Sequence, residues 1–137
     1  MKTRNLIKSV LFCLLLMGSL FACKKDKESS LVGVWKGTYT KNSDNTSLPL
    51  SFNIKADEVS PKIDLFVLDA DGNTQGQGEW SLADKVFTAR YSYTLDPAIF
   101  LVYQANFDSQ TGKLSNGTWK YEGSPDNAGT WSMTKQP

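Results

Sequence analysis

From Leu31 onward, apolar and polar positions mostly alternate, the period-two pattern of strands that bury one face. Eight strands are predicted, over residues 31–40, 48–55, 62–69, 75–82, 85–93, 98–107, 113–121 and 128–135. Turn chemistry separates them at Asn42-Ser43-Asp44-Asn45, Ser60-Pro61, Asp71-Gly72-Asn73, Ala83-Asp84, Asp96-Pro97, Asp108 to Gly112, and Ser124-Pro125-Asp126-Asn127. No helical period is sustained after Leu31. Short strands joined by short loops predict an all-β antiparallel meander. A meander of eight strands most readily closes into an up-and-down β-barrel, because closure removes its exposed edges. A two-sheet β-sandwich is the alternative.

All four tryptophans stand two residues after a glycine: Gly33-Val34-Trp35, Gly78-Glu79-Trp80, Gly117-Thr118-Trp119 and Gly129-Thr130-Trp131. Residues i and i+2 of a strand share a face, so each pair points to one side. A small barrel alternates small and large inner residues, and an indole can cover the bare backbone of a neighbouring glycine. Three of the motifs follow a turn at a similar interval, in DGNTQGQGEW, TGKLSNGTW and SPDNAGTW, which reads as a degenerate hairpin repeat. The pattern casts the tryptophans as wall and plug of a barrel; the competing reading makes them ligand platforms.

Two predicted strands are apolar on both faces. If Leu65, Val67, Leu101 and Tyr103 fill the interior, then Phe66, Leu68, Phe100 and Val102 point outward as a candidate interaction patch for an envelope protein partner. Cover by a loop or by the N-terminal segment is the other reading.

The chain has 137 residues, enough for one domain, with 40% hydrophobic and 21% charged residues. Its formal charge of +1 includes Lys2, Arg4 and Lys8 in the first 22 residues; the remainder carries twelve bases against fourteen acids. Such a balance offers no basic field for a nucleic acid backbone. Histidine is absent, which removes the commonest metal ligand and the usual general base. Cysteine occurs only at Cys13 and Cys23, so the rest of the chain has neither a disulfide nor a thiolate metal site. No carboxylate pair or nucleophile constellation stands out, so no enzyme activity, metal or cofactor is expected.

Residues 1–23 have a basic start, an apolar run from Val10 to Phe21 interrupted by Gly18 and Ser19, and the ending Leu20-Phe21-Ala22-Cys23. The run is shorter than the roughly 20 residues a spanning helix needs, but it suits a signal-peptide core. The ending resembles the bacterial lipobox. That resemblance implies a lipoprotein signal peptide over 1–22 and diacylation of Cys23, which becomes the lipidated N-terminus. Residues 23–30 then read as a flexible tether, and 31–137 as the barrel domain. The membrane becomes a partner through that N-terminal lipid. Lys24 after the cysteine, rather than aspartate, points to the outer membrane of the cell envelope. The mixed charges of the tether resemble the surface-export tethers of Bacteroidota lipoproteins.

LVGVWKGTY, residues 31–39, resembles the first strand of lipocalin-like proteins, whose signature is G-x-W, here Gly33-Val34-Trp35. The resemblance implies a lipocalin-like barrel in which a basic side chain of the last strand packs across Trp35; Lys135 is placed to match. The closing GTW strand resembles small lipocalin-like lipoproteins of Bacteroidota. Rings crowd the predicted interior, among them Trp35, Tyr39, Phe52, Tyr91, Tyr93, Tyr103, Trp119 and Trp131. The expectation is a packed middle with one open end, lined by Trp35, Tyr39 and Tyr91, that takes a small flat apolar or aromatic ligand rather than a long lipid. Asp69-Ala70-Asp71-Gly72-Asn73 has the look of a calcium loop, but a hairpin turn explains it. Arg90 is expected on the outer face, with an anion clamp near the barrel mouth as the competing reading.

Overall fold

The computed structural model of the protein describes residues 30–56 and 63–137. Eight strands run in chain order: β1 (Gly33–Lys41), β2 (Ser47–Ile54), β3 (Leu65–Leu68), β4 (Thr74–Ala83), β5 (Val86–Tyr93), β6 (Asp96–Asp108), β7 (Lys113–Tyr121) and β8 (Gly129–Lys135). Each pairs antiparallel with its sequence neighbour, and β8 returns to β1 to close the barrel. The sandwich alternative is thereby set aside.

Most strand boundaries fall within two residues of those predicted. β3 is shorter, because Asp64 leaves the strand pattern and turns its buried carboxylate to accept the backbone N–H of Trp80 at 3.1 Å. The turn expected at Asp96-Pro97 lies two residues earlier, at Thr94-Leu95, with Asp96 paired to Tyr93. Pro97 instead sits where the β5–β6 register slips, since Ser92 pairs with Phe100 but Tyr93 with Asp96. An interrupted ladder asks no N–H of it. The turn expected at Ser60-Pro61 lies outside the described residues.

Alternate residues fill the interior. The ring of Phe52 lies 5.6 Å from that of Tyr91 and 6.0 Å from those of Tyr103 and Trp131, so aromatic edges and faces pack the middle of the barrel. At the end where β1 begins, Leu31 is fully buried and its carbonyl accepts the indole N–H of Trp35 at 2.7 Å. Phe107 packs edge-on against Trp35 at 6.1 Å, and that end is sealed.

The two GTW motifs face each other. Gly117 pairs with Trp131, and Trp119 with Gly129. A Cβ on Gly117 would collide with the Trp131 indole, and one on Gly129 with the Trp119 indole and the Thr40 carbonyl. Each indole therefore crosses a bare neighbouring strand to a carbonyl one strand further. Trp119 reaches over β8 to Thr40 on β1 at 3.2 Å, while Trp131 reaches over β7 to Gln104 on β6 at 3.0 Å. The other two tryptophans sit differently: Gly78 pairs with Tyr91, and Gly33, at φ 136°, lies against the Lys135 side chain. Lys135 is also the cross-strand partner of Trp35.

Candidate functional site

The loops 42–46, 69–73, 94–95 and 122–128 gather at the end opposite Leu31. Here the interior opens into a pocket of about 230 Å³ lined by Tyr39, Lys41, Tyr93, Asp96, Ile99, Leu101, Tyr103, Trp119 and Tyr121. Strand periodicity places them: Trp119 and Tyr121 are i and i+2 on β7, as are Leu101 and Tyr103 on β6. Trp119 is held by its bond to the Thr40 carbonyl. Its ring stacks on Tyr103 at 5.8 Å and 15°, and meets Tyr39 at 5.7 Å and 89° and Tyr121 at 5.8 Å and 74°. Tyr39 and Tyr121 thus stand as walls around an indole.

The mouth is braced across the loops. The Asn42 backbone N–H donates to the Ala128 carbonyl at 2.8 Å, and its side-chain amide to the Asn127 carbonyl at 3.1 Å. Thr94 N–H donates to the Gln75 carbonyl at 2.8 Å. A braced rim loses little ordering entropy when a ligand enters. On the β1–β4 side of the same end lies a second hollow of about 370 Å³, also bordered by Tyr39 and Tyr93 but formed largely by Leu48, Pro49, Leu50, Val67 and Leu68.

Two phenols of the pocket are held toward the neutral form. Burial, above all, raises the ionisation of Tyr93 and Tyr103 above the ordinary tyrosine range. Beneath them Tyr91 is fully buried and raised well above that range, by burial first and then by Tyr103. Its hydroxyl has no partner in good hydrogen-bonding geometry, although its ring packs against those of Tyr93 and Tyr103 at 5.6 and 5.4 Å.

Of the three residues predicted to line one open end, only Tyr39 does. Trp35 lies at the sealed end, and Tyr91 is below the pocket floor, so the two belong to the core. Tyr93, Tyr103 and Trp119, expected among the interior rings, complete the lining together with Tyr121, which the sequence reading missed. Its place two residues after Trp119 was the available signal.

The apolar residues Phe66, Leu68, Phe100 and Val102 are half-buried and do not form one patch. Gln77 and Ser92 separate Phe66 from Phe100 across β4 and β5, and Leu68 borders the second hollow. The Arg90 guanidinium, 3.7 Å from the ring centroid, covers Phe100. Arg90 also holds Glu122 through two bonds of 2.6 and 2.8 Å, which fills its fork with a partner of the chain itself. That hydrogen bond from Arg90 holds the Glu122 carboxyl below its usual range.

Asp69 closes its own turn. Its carboxylate accepts the backbone N–H of Asp71 at 2.9 Å and of Asn73 at 2.8 Å, and the Asn73 bond chiefly lowers its ionisation. Gly72, at φ 87°, takes the left-handed position of that turn. Among the described residues no three acidic or thiol side chains converge on a point that could hold a metal ion. Cys23, the expected lipid attachment, lies outside the described residues.

No protein-family model matches the chain, and no curated protein does. The barrel is similar in fold to the redesigned β-barrel mFAP1, whose structure contains bound DFHBI. The similarity covers 80% of this chain and 98% of that one, at 22% identity and a TM-score of 0.52.

Proposed function

We propose that this protein is a lipid-anchored cell-envelope protein, held at the outer membrane through Cys23, whose barrel binds a small flat aromatic or apolar molecule and catalyses no reaction. The observation that carries the binding reading is the pocket around Trp119, with Tyr39 and Tyr121 as walls and Tyr103 stacked on the indole. At about 230 Å³ it falls below the roughly 300–1,000 Å³ of sites for drug-sized ligands, so it suits a molecule of one or two rings rather than an acyl chain. The redesigned barrel of similar fold, with its bound DFHBI, supports the capacity of such a barrel for a small ligand. The anchor rests on the lipobox-like Leu20-Phe21-Ala22-Cys23.

Titration of tryptophan fluorescence with one- and two-ring compounds, alongside fatty acids, tests the binding reading. Quenching is expected from the small ring compounds and its loss in Trp119→Phe. An unchanged spectrum with every compound would refute it.

One observation favours a second reading, a membrane-tethered interaction module. Leu95 is 99% exposed at the tip of the β5–β6 turn, beside Ile99 and Tyr121 on the same rim. Under that reading Leu95→Asp abolishes capture of an envelope protein and leaves the fluorescence titration untouched.

A further inference from the structure

We propose that the pocket selects an organic cation, a quaternary or protonated amine carrying a small apolar or aromatic group, by combining its ring cage with the Asp96 carboxylate. The inference rests on the binding reading above and names the charge of the ligand. Two independent features lead to it, the arrangement of the rings and the distribution of charge around the mouth.

The first is geometric. An aromatic ring is negative over its face and positive at its edge, so rings set at right angles around a space offer a cation several negative surfaces at once. Tyr39 and Tyr121 meet the Trp119 ring at 89° and 74°, with centroids 5.7 and 5.8 Å away. Tyr93 adds a further ring to the lining. Indole has the most strongly attracting face of the three aromatic side chains. A neutral flat molecule needs only one such surface to stack on; a box of several is of most use to a compact cation.

The second feature is charge. The four loops of this end, with the strand ends Lys41 and Asp96, carry Asp44, Asp69, Asp71, Asp96, Glu122 and Asp126 against Lys41 alone. Glu122 is occupied by Arg90, and the Asp69 carboxylate by its own turn. Lys41 borders the pocket, but its charge also acts on Asp44, whose ionisation it helps to lower after the dominant bonds from Thr46. Among the described residues Asp96 is the one carboxylate in the lining itself. A concave mouth with an acidic surround draws cations toward it and repels anions.

The test compares phenyltrimethylammonium with its neutral isostere tert-butylbenzene, which has the same shape without the charge. Both are titrated into the full chain by tryptophan fluorescence and calorimetry, with benzoate as the anionic control. The cation is expected to bind about 10-fold more tightly than the isostere, within the range that cation–π contacts supply. Asp96→Asn should remove most of that preference. Tyr121→Ala, at a half-exposed rim position, should weaken the cation more than the isostere. Equal affinity for the two compounds, or tighter binding of benzoate, would overturn the inference and leave the small-molecule reading standing. A preference that survives in Asp96→Asn would overturn the part assigned to Asp96. Failure of all three compounds to bind would overturn both readings.

Discussion

Gly117→Ala is a single methyl group placed where an indole already lies. The Cβ would collide with the Nε1 and Cδ1 atoms and the backbone carbonyl of Trp131. No positive φ demands glycine at this position, so space is the reason for it. Overpacking of this kind costs about 1–3 kcal/mol. Trp131 also donates to the Gln104 and Thr118 carbonyls, both at 3.0 Å, and displacing it strands two acceptors in a part-buried site. Breaking that arrangement costs about 1–3 kcal/mol more. We therefore expect a loss of about 2–6 kcal/mol, against a total of about 5–15 for a domain, and a melting temperature lower by about 10–30 °C. Urea denaturation followed by circular dichroism measures it. A double-mutant cycle isolates the cause: Trp131→Leu should cost less in the Gly117→Ala background than in the parent, by at least about 0.5 kcal/mol. A midpoint equal to the parent's, or strict additivity in the cycle, would refute the reasoning.

Further outcomes follow from the same geometry. Trp35→Ala should cost about 3–5 kcal/mol, because it empties the sealed end and leaves the Leu31 carbonyl without its donor; a denaturant midpoint unchanged from the parent would place Trp35 outside the core. Burial raises the ionisation of Tyr91, Tyr93 and Tyr103, so the folded state keeps protons that the unfolded chain releases. Their contribution is fully present below the ordinary tyrosine range near pH 10 and is lost as the pH rises through and above it. Absorbance of tyrosinate in an alkaline titration should therefore rise for these rings only together with unfolding; free titration of every tyrosine in the folded protein contradicts it. On the acid side the lowered carboxyls of Asp69, Asp108 and Glu122 contribute above about pH 4 and lose that contribution below it, which chemical denaturation between pH 5 and 2 will show as a falling midpoint. Cys23→Ser should move the protein from the detergent phase to the aqueous phase, and equal partitioning with the parent would remove the anchor from the proposal.

Alternation along each strand was enough to read which face of the chain fills the barrel. Phe52, Trp80, Phe87, Tyr91, Tyr103 and Phe107 all point inward as their phase requires. Alternation carries no information about height along the barrel axis. Trp35 and Tyr39 share a face but stand four residues apart, about 13 Å along a strand, so a single mouth cannot be lined by both. Which end opens is decided by Leu31 plugging one of them, a contact that no strand pattern announces. Phe66 and Phe100 failed to merge into a patch for a similar reason. Their outward direction was legible, but the two strands between them belong to the pairing register. The Pro97 displacement came from reading a proline as a turn when a slipped ladder accommodates it equally well.

The reciprocal reach of Trp119 and Trp131 sets an order of events in time. Trp119 finds its acceptor on β1 only after β8 has been laid between them, and Trp131 locks onto β6 only when β8 itself is in place. Partners such as Lys36 and Thr134 lie almost the whole domain apart in sequence, and pairings of that separation form slowly. A nascent chain lacking its last strand therefore leaves the β1 and β7 edges open and the Trp119 indole unlocked. Under the anchored reading proposed above, such slow closure favours a chain that reaches the envelope before its barrel is shut. The two indole bonds are therefore the last contacts to form, a mark that closure is complete.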